Sequence, residues 1–210
     1  MIEVSDIREV ECCVNDIRVV LFDLDDTLYS EKDYVRSGFH QIALRFPEIQ
    51  NAEEMLWDYF IRKEPAIDCF LKDTGIASDE NKKACLMAYR NQKPNISLYP
   101  GVREMLVRLH EKHQLGLITD GRPEGQRAKI NALGIDEHFD RIIVTDELGG
   151  AEFRKPNPEA FELMAEYFGT DYQDMCYVGD NISKDFIAPE KLGMRAIWVR
   201  NPDGIYYTGT

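Results

Sequence analysis

The sequence predicts an α/β fold in which a doubly wound parallel sheet, Rossmann-like in its order of elements, carries an inserted α-helical subdomain. Two observations predict the sheet and a third the insertion. Short β-branched runs alternate along the chain with amphipathic segments, the pattern of strands and covering helices. Those strand runs show little in/out alternation, as expected where helices cover both faces. Between the first two strands lies a stretch of roughly seventy residues with helical spacing and no strand, far longer than an ordinary crossover. With 210 residues the chain suits one compact domain plus such an insert, drawn here as core 1–29 and 98–210 and insert 30–97.

The first seventeen residues place apolar side chains at Val4, Ile7, Val10, Val14 and Ile17, which predicts a helix leading into the first strand, Arg18–Asp23. In the insert, Val35, Phe39, Ile42, Ala43 and Phe46 form a stripe that stops at Pro47. A second helix starts at Asn51, with Glu54 three residues on as in a capping box, and buries Met55, Leu56, Tyr59 and Phe60. Pro65 opens a third helix that ends near Gly75, and Ser78 caps a fourth. Beyond Pro100-Gly101, Val102, Met105, Leu106 and Leu109 line a core helix that precedes the strand Leu115–Thr119. Ile130 and Leu133, closed by Gly134, mark the next helix, and Arg141–Thr145 the next strand. Asn157-Pro158 reads as an N-cap and first helical residue before the stripe Phe161, Met164, Ala165 and Phe168, with Gly169 where a left-handed C-cap is wanted. Strands Met175–Gly179 and Arg195–Val199 complete the sheet. Pro189 requires the helix between them to start late or to kink. The last sheet edge is then either bare or covered by the N-terminal segment.

Composition excludes several classes of function. Lys and Arg total 25 against 38 Asp and Glu, a net charge of −13 that repels phosphate backbones and anionic membranes. Nucleic-acid binding is therefore not expected, while an anionic small substrate remains open because a local cation inverts the field in a cleft. The apolar run Val19–Phe22 is much too short to cross a membrane or serve as a signal core. Five cysteines with no C-x-x-C spacing read as reduced thiols, which makes the cytoplasm the expected location. No feature sets an oligomeric state.

Chemistry concentrates at the strand ends. The strand at Val19 runs into Asp23, Asp25, Asp26 and Thr27, where open α/β sheets bind their ligands. The next strand ends in Thr119-Asp120-Gly121, a routine turn when taken alone. Lys155-Pro156 sits in the loop after a third strand, and Gly179-Asp180 with Asp185 follows a fourth. Asp23, Asp25, Asp180 and Asp185 would crowd four negative charges against Lys155, so they must take up protons or recruit a cation. An all-oxygen donor set suits Mg²⁺.

Taken in this order, the four motifs resemble those of the haloacid dehalogenase-like hydrolase superfamily, most closely its phosphatases with a helical cap between the first and second motifs. The family pattern D-x-D-x-T, Ser/Thr, Lys and G-D-x-x-x-x-D is met by Asp23, Asp25, Thr27, Thr119, Lys155, Asp180 and Asp185, and the likeness covers roughly residues 18 to 200. It implies Mg²⁺ held by the Asp23 carboxylate, the Asp25 carbonyl and Asp180. Thr27 and Asp185 would stand behind the ligands, Asp185 as a partner that orients Lys155. It also implies that Asp23 attacks phosphorus, that Asp25 serves as acid and then base, and that Thr119, the Gly121 amide and Lys155 hold the phosphoryl oxygens. The dehalogenase branch lacks the second acid, so Asp25 favours phosphoryl transfer.

The expected activity is a Mg²⁺-dependent phosphatase of a small soluble phosphomonoester, a sugar phosphate or nucleoside monophosphate, working through an aspartyl-phosphate. A sugar phosphomutase of the same superfamily is the alternative, disfavoured because such relatives usually carry Gly where this chain has Asp26. A non-catalytic binding module is opposed by the intact Asp23 and Asp25. Substrate choice is expected to reside in the helical insert.

Overall fold

The computed structural model describes residues 1–207, which carry a six-stranded, all-parallel sheet. Its strands are β1 (Ile2–Val4), β2 (Val19–Phe22), β3 (Gln114–Thr119), β4 (Arg141–Val144), β5 (Met175–Gly179) and β6 (Arg195–Val199), in the spatial order β1-β6-β5-β2-β3-β4. From β2 the chain steps outward through β3 and β4, then returns to the other flank of β2 for β5 and β6. The sheet therefore reverses its winding between β2 and β5, and ligand crevices of open α/β sheets form beside the carboxyl ends at such a point.

All four residues of β2 are buried, so neither face alternates toward water. Val19 and Leu21 join a core with Phe161, Met164 and Phe168 of α8 (Glu159–Phe168), while Phe22 meets Phe139 edge-on at 6.2 Å. Gly116 in β3 leaves room for that packing, because a Cβ there would lie 2.6 Å from the Leu21 side chain.

The N-terminal segment corrects an expectation. It is not one helix: Ile2–Val4 is a strand paired with Ile197–Val199, then a 3-10 turn over Ile7–Glu9 leads into α1 (Val10–Cys13). Asp6 caps that turn, its carboxylate accepting from the Arg8 N–H while Glu9 reaches back to the Asp6 N–H. The segment thus covers the open edge of β6.

The chain divides into two compact units, Met1–Glu31 with Ser97–Thr210 and Lys32–Ile96. The second contains helices only among its regular elements: all but the first residue of α2 (Glu31–Ala43), then α3 (Ala52–Ile61), α4 (Ala66–Asp73) and α5 (Asp79–Arg90). Ser78 caps α5 as its sequence predicts, accepting from the Asn81 N–H. The capping box expected at Asn51 does not form, because Asn51 adopts a left-handed conformation (φ 57°) and its side chain makes no cap bond. In the first unit, α6 (Val102–His110) and α7 (Pro123–Leu133) flank β3 in sequence, and α9 (Ile187–Leu192) starts late enough to hold Pro189 in its first turn. Asn157 caps α8 from one residue further out than expected, its side chain accepting from the Glu159 N–H at 2.9 Å.

Candidate active site

The carboxyl ends of β2, β3 and β5 and the segment that follows β4 bring the sequence-predicted residues together in one unit. Asp23 follows β2 directly, its N–H bound to the Val178 carbonyl of β5 at 2.8 Å. Its carboxylate is buried, and the Lys155 ammonium, itself fully buried, lies 2.6 Å from Oδ1. The same ammonium reaches Asp185 Oδ1 at 2.9 Å and the Tyr177 hydroxyl at 2.7 Å. Asp185 is held in turn by the Asn181 N–H on its other oxygen at 2.9 Å.

One lysine cannot neutralise this group. Asp23, Asp180 and Asp185 each offer a carboxylate oxygen, and the three lie within 4.8 Å of one another. Burial, together with the charges of Asp185 and Asp25, pushes Asp23 up to about 7 against the pull of Lys155 and Lys184. Burial and the charges of Asp23, Asp185 and Asp26 push Asp180 up to about 9. An oxygen-only set of crowded carboxylates, Asp23 and Asp185 buried and Asp180 half-buried, fits a hard divalent cation, which would relieve the repulsion without protons. Thr27 touches this cluster only at long range, its hydroxyl 3.5 Å from Asp180 Oδ1.

The second motif lies at the carboxyl end of β3. The Thr119 hydroxyl is buried and makes no hydrogen bond among the described residues. Such a group calls for a partner that arrives from outside. Gly121 has φ +136°, a conformation open to glycine, and a Cβ there would lie 2.9 Å from Gln126 Nε2. Asp120 braces the loops: it accepts from the Thr145 hydroxyl and the Lys155 N–H, both at 3.1 Å, and pairs with Lys184 Nζ at 2.8 Å.

Asp25 has a separate environment. Oδ1 takes the Lys129 ammonium at 2.7 Å and the Tyr29 hydroxyl, and Oδ2 takes Gln126 Nε2 at 2.9 Å. Burial disfavours its charge, yet the Lys129 ammonium and these three hydrogen bonds outweigh burial and hold the carboxyl below its ordinary range. Asp26 completes the turn at φ 53°, its carboxylate accepting from the Glu31 N–H at 2.8 Å and the Ile205 N–H at 2.6 Å.

Asp120, Tyr177, Lys184, Lys129, Gln126 and Tyr29 were not expected from the sequence. Asp120 and Lys184 occupy spacer positions inside the motifs, and Tyr177 lies two residues before Gly179. A signal existed for Gln126 and Lys129, because with Ile130 and Leu133 they fill positions i, i+3, i+4 and i+7 of one α7 face, and all four are buried.

Comparison with known proteins supplies the relationship. Residues 20–199 match the model of the family described as haloacid dehalogenase-like hydrolase. The chain is 30% identical over 200 residues to a glyceraldehyde 3-phosphate phosphatase of Pyrococcus abyssi, covering 88% of this chain and 82% of that protein. It is 29% identical over 130 residues to a phosphoserine phosphatase of Thermus thermophilus, covering 61% and 51%. Among solved structures, a hydrolase of the same superfamily from Geobacter sulfurreducens superimposes with a TM-score of 0.67 at 19% identity, covering 89% of each chain.

Proposed function

The chain belongs to the haloacid dehalogenase-like hydrolases, and from that premise we propose that it is a Mg²⁺-dependent phosphatase of a small phosphomonoester. The observation that carries the reading is Asp23, buried at the tip of β2, ion-paired to the fully buried Lys155 and clustered with Asp180 and Asp185. The names of relatives as phosphatases of glyceraldehyde 3-phosphate and phosphoserine support a short, polar phosphate ester as substrate.

Asp23, Asp180 and, through its carbonyl, Asp25 would hold Mg²⁺, with Asp185 also within reach. Bound there, the ion supplies positive charge to the phosphoryl oxygens and permits the carboxylates to ionise together. A carboxylate oxygen of Asp23 attacks phosphorus in line, and the new O–P bond forms as the ester O–P bond breaks. Asp25, ionised at rest beside Lys129, takes up a proton from the incoming phosphate monoanion or from water and delivers it to the departing oxygen. Water then loses a proton to Asp25 and attacks the same phosphorus, releasing phosphate and restoring the Asp23 carboxylate. Lys155, the unpartnered Thr119 hydroxyl and the Gly121 amide hold the phosphoryl oxygens in both half-reactions. Thr27 and Asp185 steady Asp180 and Lys155 from behind.

Residues 30–97 serve in this reading as the cap that selects the leaving group. The five unpaired cysteines support a reducing compartment, the cytoplasm. No helix among the described residues is long and apolar enough to cross a membrane.

The test is phosphate release with Mg²⁺, and its loss with EDTA, from p-nitrophenyl phosphate and a panel including glyceraldehyde 3-phosphate, phosphoserine, sugar phosphates and nucleoside monophosphates. Release from the activated aryl ester with a preference among the small esters is expected. No release from any member overturns the reading.

A further inference from the structure

We propose that Lys129 and Gln126 are positioning residues for the acid/base step: with Tyr29 they fix the Asp25 carboxylate in the orientation from which it exchanges protons. The proposal rests on the reading of Asp25 as the acid and base of a phosphatase.

The geometry begins with a sequence anomaly. The buried face of α7 should be apolar, yet its first two positions are Gln126 and Lys129 before Ile130 and Leu133 continue the stripe. A lysine with 6% of its side chain exposed is tolerated only when its ammonium is paired. Here the ammonium lies 2.7 Å from Asp25 Oδ1, and the Gln126 amide supplies Oδ2 at 2.9 Å. Each carboxylate oxygen therefore has a donor from the same helix, one turn apart, and the Tyr29 hydroxyl adds a third bond at Oδ1. Turning the carboxylate about its Cβ–Cγ bond would break both α7 bonds, one of them charge-assisted.

Gln126 extends the brace. Its amide nitrogen also donates to the Asp120 carbonyl, so one side chain ties the Asp25 loop to the loop that follows Thr119 and carries Gly121. The bare Cα of Gly121 leaves the space through which that amide reaches. Lys155 is the fixed partner of the nucleophile, and Lys129 is its counterpart for the second aspartate. An acid/base group displaced by a fraction of an ångström loses much of its contribution, so rigidity at this carboxylate has a kinetic consequence.

The experiment uses the full-length chain with Mg²⁺, as wild type and as Lys129→Met, Lys129→Arg, Gln126→Leu and Asp25→Asn. Turnover of an alkyl phosphate and the p-nitrophenolate burst from p-nitrophenyl phosphate are measured, with folding followed by circular dichroism. For Lys129→Met, kcat on the alkyl ester should fall by about 10- to 100-fold, a share of the full acid/base contribution. KM should stay within about twofold, and the burst rate should fall less than the alkyl turnover, because a good leaving group needs less protonation. Lys129→Arg should recover part of the loss, and Gln126→Leu should show the same pattern more weakly. A folded Lys129→Met that keeps its kcat, or loses alkyl turnover and burst equally, overturns the proposal. Should Lys129→Met fail to fold, Gln126→Leu decides by the same two readouts. Wild type that releases no phosphate overturns the phosphatase reading and this inference together. Active wild type with an impaired Asp25→Asn but an unimpaired Lys129→Met overturns this inference alone.

Discussion

In the proposed mechanism Asp23 must be ionised to attack phosphorus, yet burial and neighbouring carboxylates favour its neutral form. Lys155 offsets part of that conflict and leaves the rest for a cation. Asp23→Asn should therefore reduce phosphate release to background, because an amide cannot replace the nucleophile, and Mg²⁺ affinity should drop. Lys155 keeps Asp185 and Tyr177 as partners in that variant, so the fold should hold. Phosphate assays, calorimetric titration and melting check the three parts, and turnover above background would remove Asp23 as nucleophile. At this scale the seven motif residues were legible because they follow hydrophobic strands in a fixed order. Lys129 and Gln126 were not, because a polar residue in an apolar stripe acquires its meaning from what lies opposite. That partner, Asp25, is 104 residues from Lys129 in sequence.

The loop after β5 shows how an element positions a site. A Cβ on Gly179 would lie 2.6 Å from Asp185 Oδ2, so the strand must end in glycine for Asp185 to fold back onto Lys155. Gly179→Ala should cost about 1–3 kcal/mol through overcrowding and weaken Mg²⁺ binding, as read by chemical denaturation and calorimetry. Unchanged values in both would mean that the loop relaxes freely. β1 teaches a different lesson. The spacing Val4, Ile7, Val10, Val14 fits a helical period, but Ile2–Val4 pairs with β6 instead. Three residues of extended chain carry too little pattern to announce themselves, and the deciding partner lies at the other end of the sequence. Removing residues 1–5 should expose the β6 edge, lower the melting temperature and produce concentration-dependent association in sedimentation. A monomeric variant with the parent's melting temperature would show that β1 does not protect that edge.

For the whole molecule, the buried carboxylates link stability, pH and metal. The Asp180 carboxyl stands at about 9 in the folded chain against an ordinary value of 3.8. Between those values the folded chain keeps a proton that the unfolded chain has lost, so the metal-free protein loses stability as pH rises through this window. Asp23, raised to about 7, acts in the same direction over the lower part of it. Mg²⁺ replaces those protons, so its stabilising effect should grow with pH over the same range. Melting curves with and without Mg²⁺ test this, and a metal effect that shrinks as pH rises would contradict it. The division into two units has its own consequence. Every candidate ligand and catalytic residue lies in the unit formed by Met1–Glu31 and Ser97–Thr210. Replacing residues 32–96 by a short linker should therefore preserve Mg²⁺ binding and flatten the ranking of phosphomonoesters. A folded variant with the parent's ranking would place specificity in the core loops.

The sequence by itself determined the α/β class and five of the six strands, and it offered Asp23, Asp25, Thr119, Lys155, Asp180 and Asp185 as candidates at and beyond the strand ends. Strand periodicity is local, and chemistry placed directly after a strand is carried to the same end of a parallel sheet. Only the tertiary structure decided that β1 pairs with β6 as the sixth strand, that Asn51 does not cap its helix, and that α7 turns Lys129 and Gln126 toward Asp25. Each of these depends on groups distant in sequence or on backbone geometry at one residue. Periodicity along the chain carries no record of either.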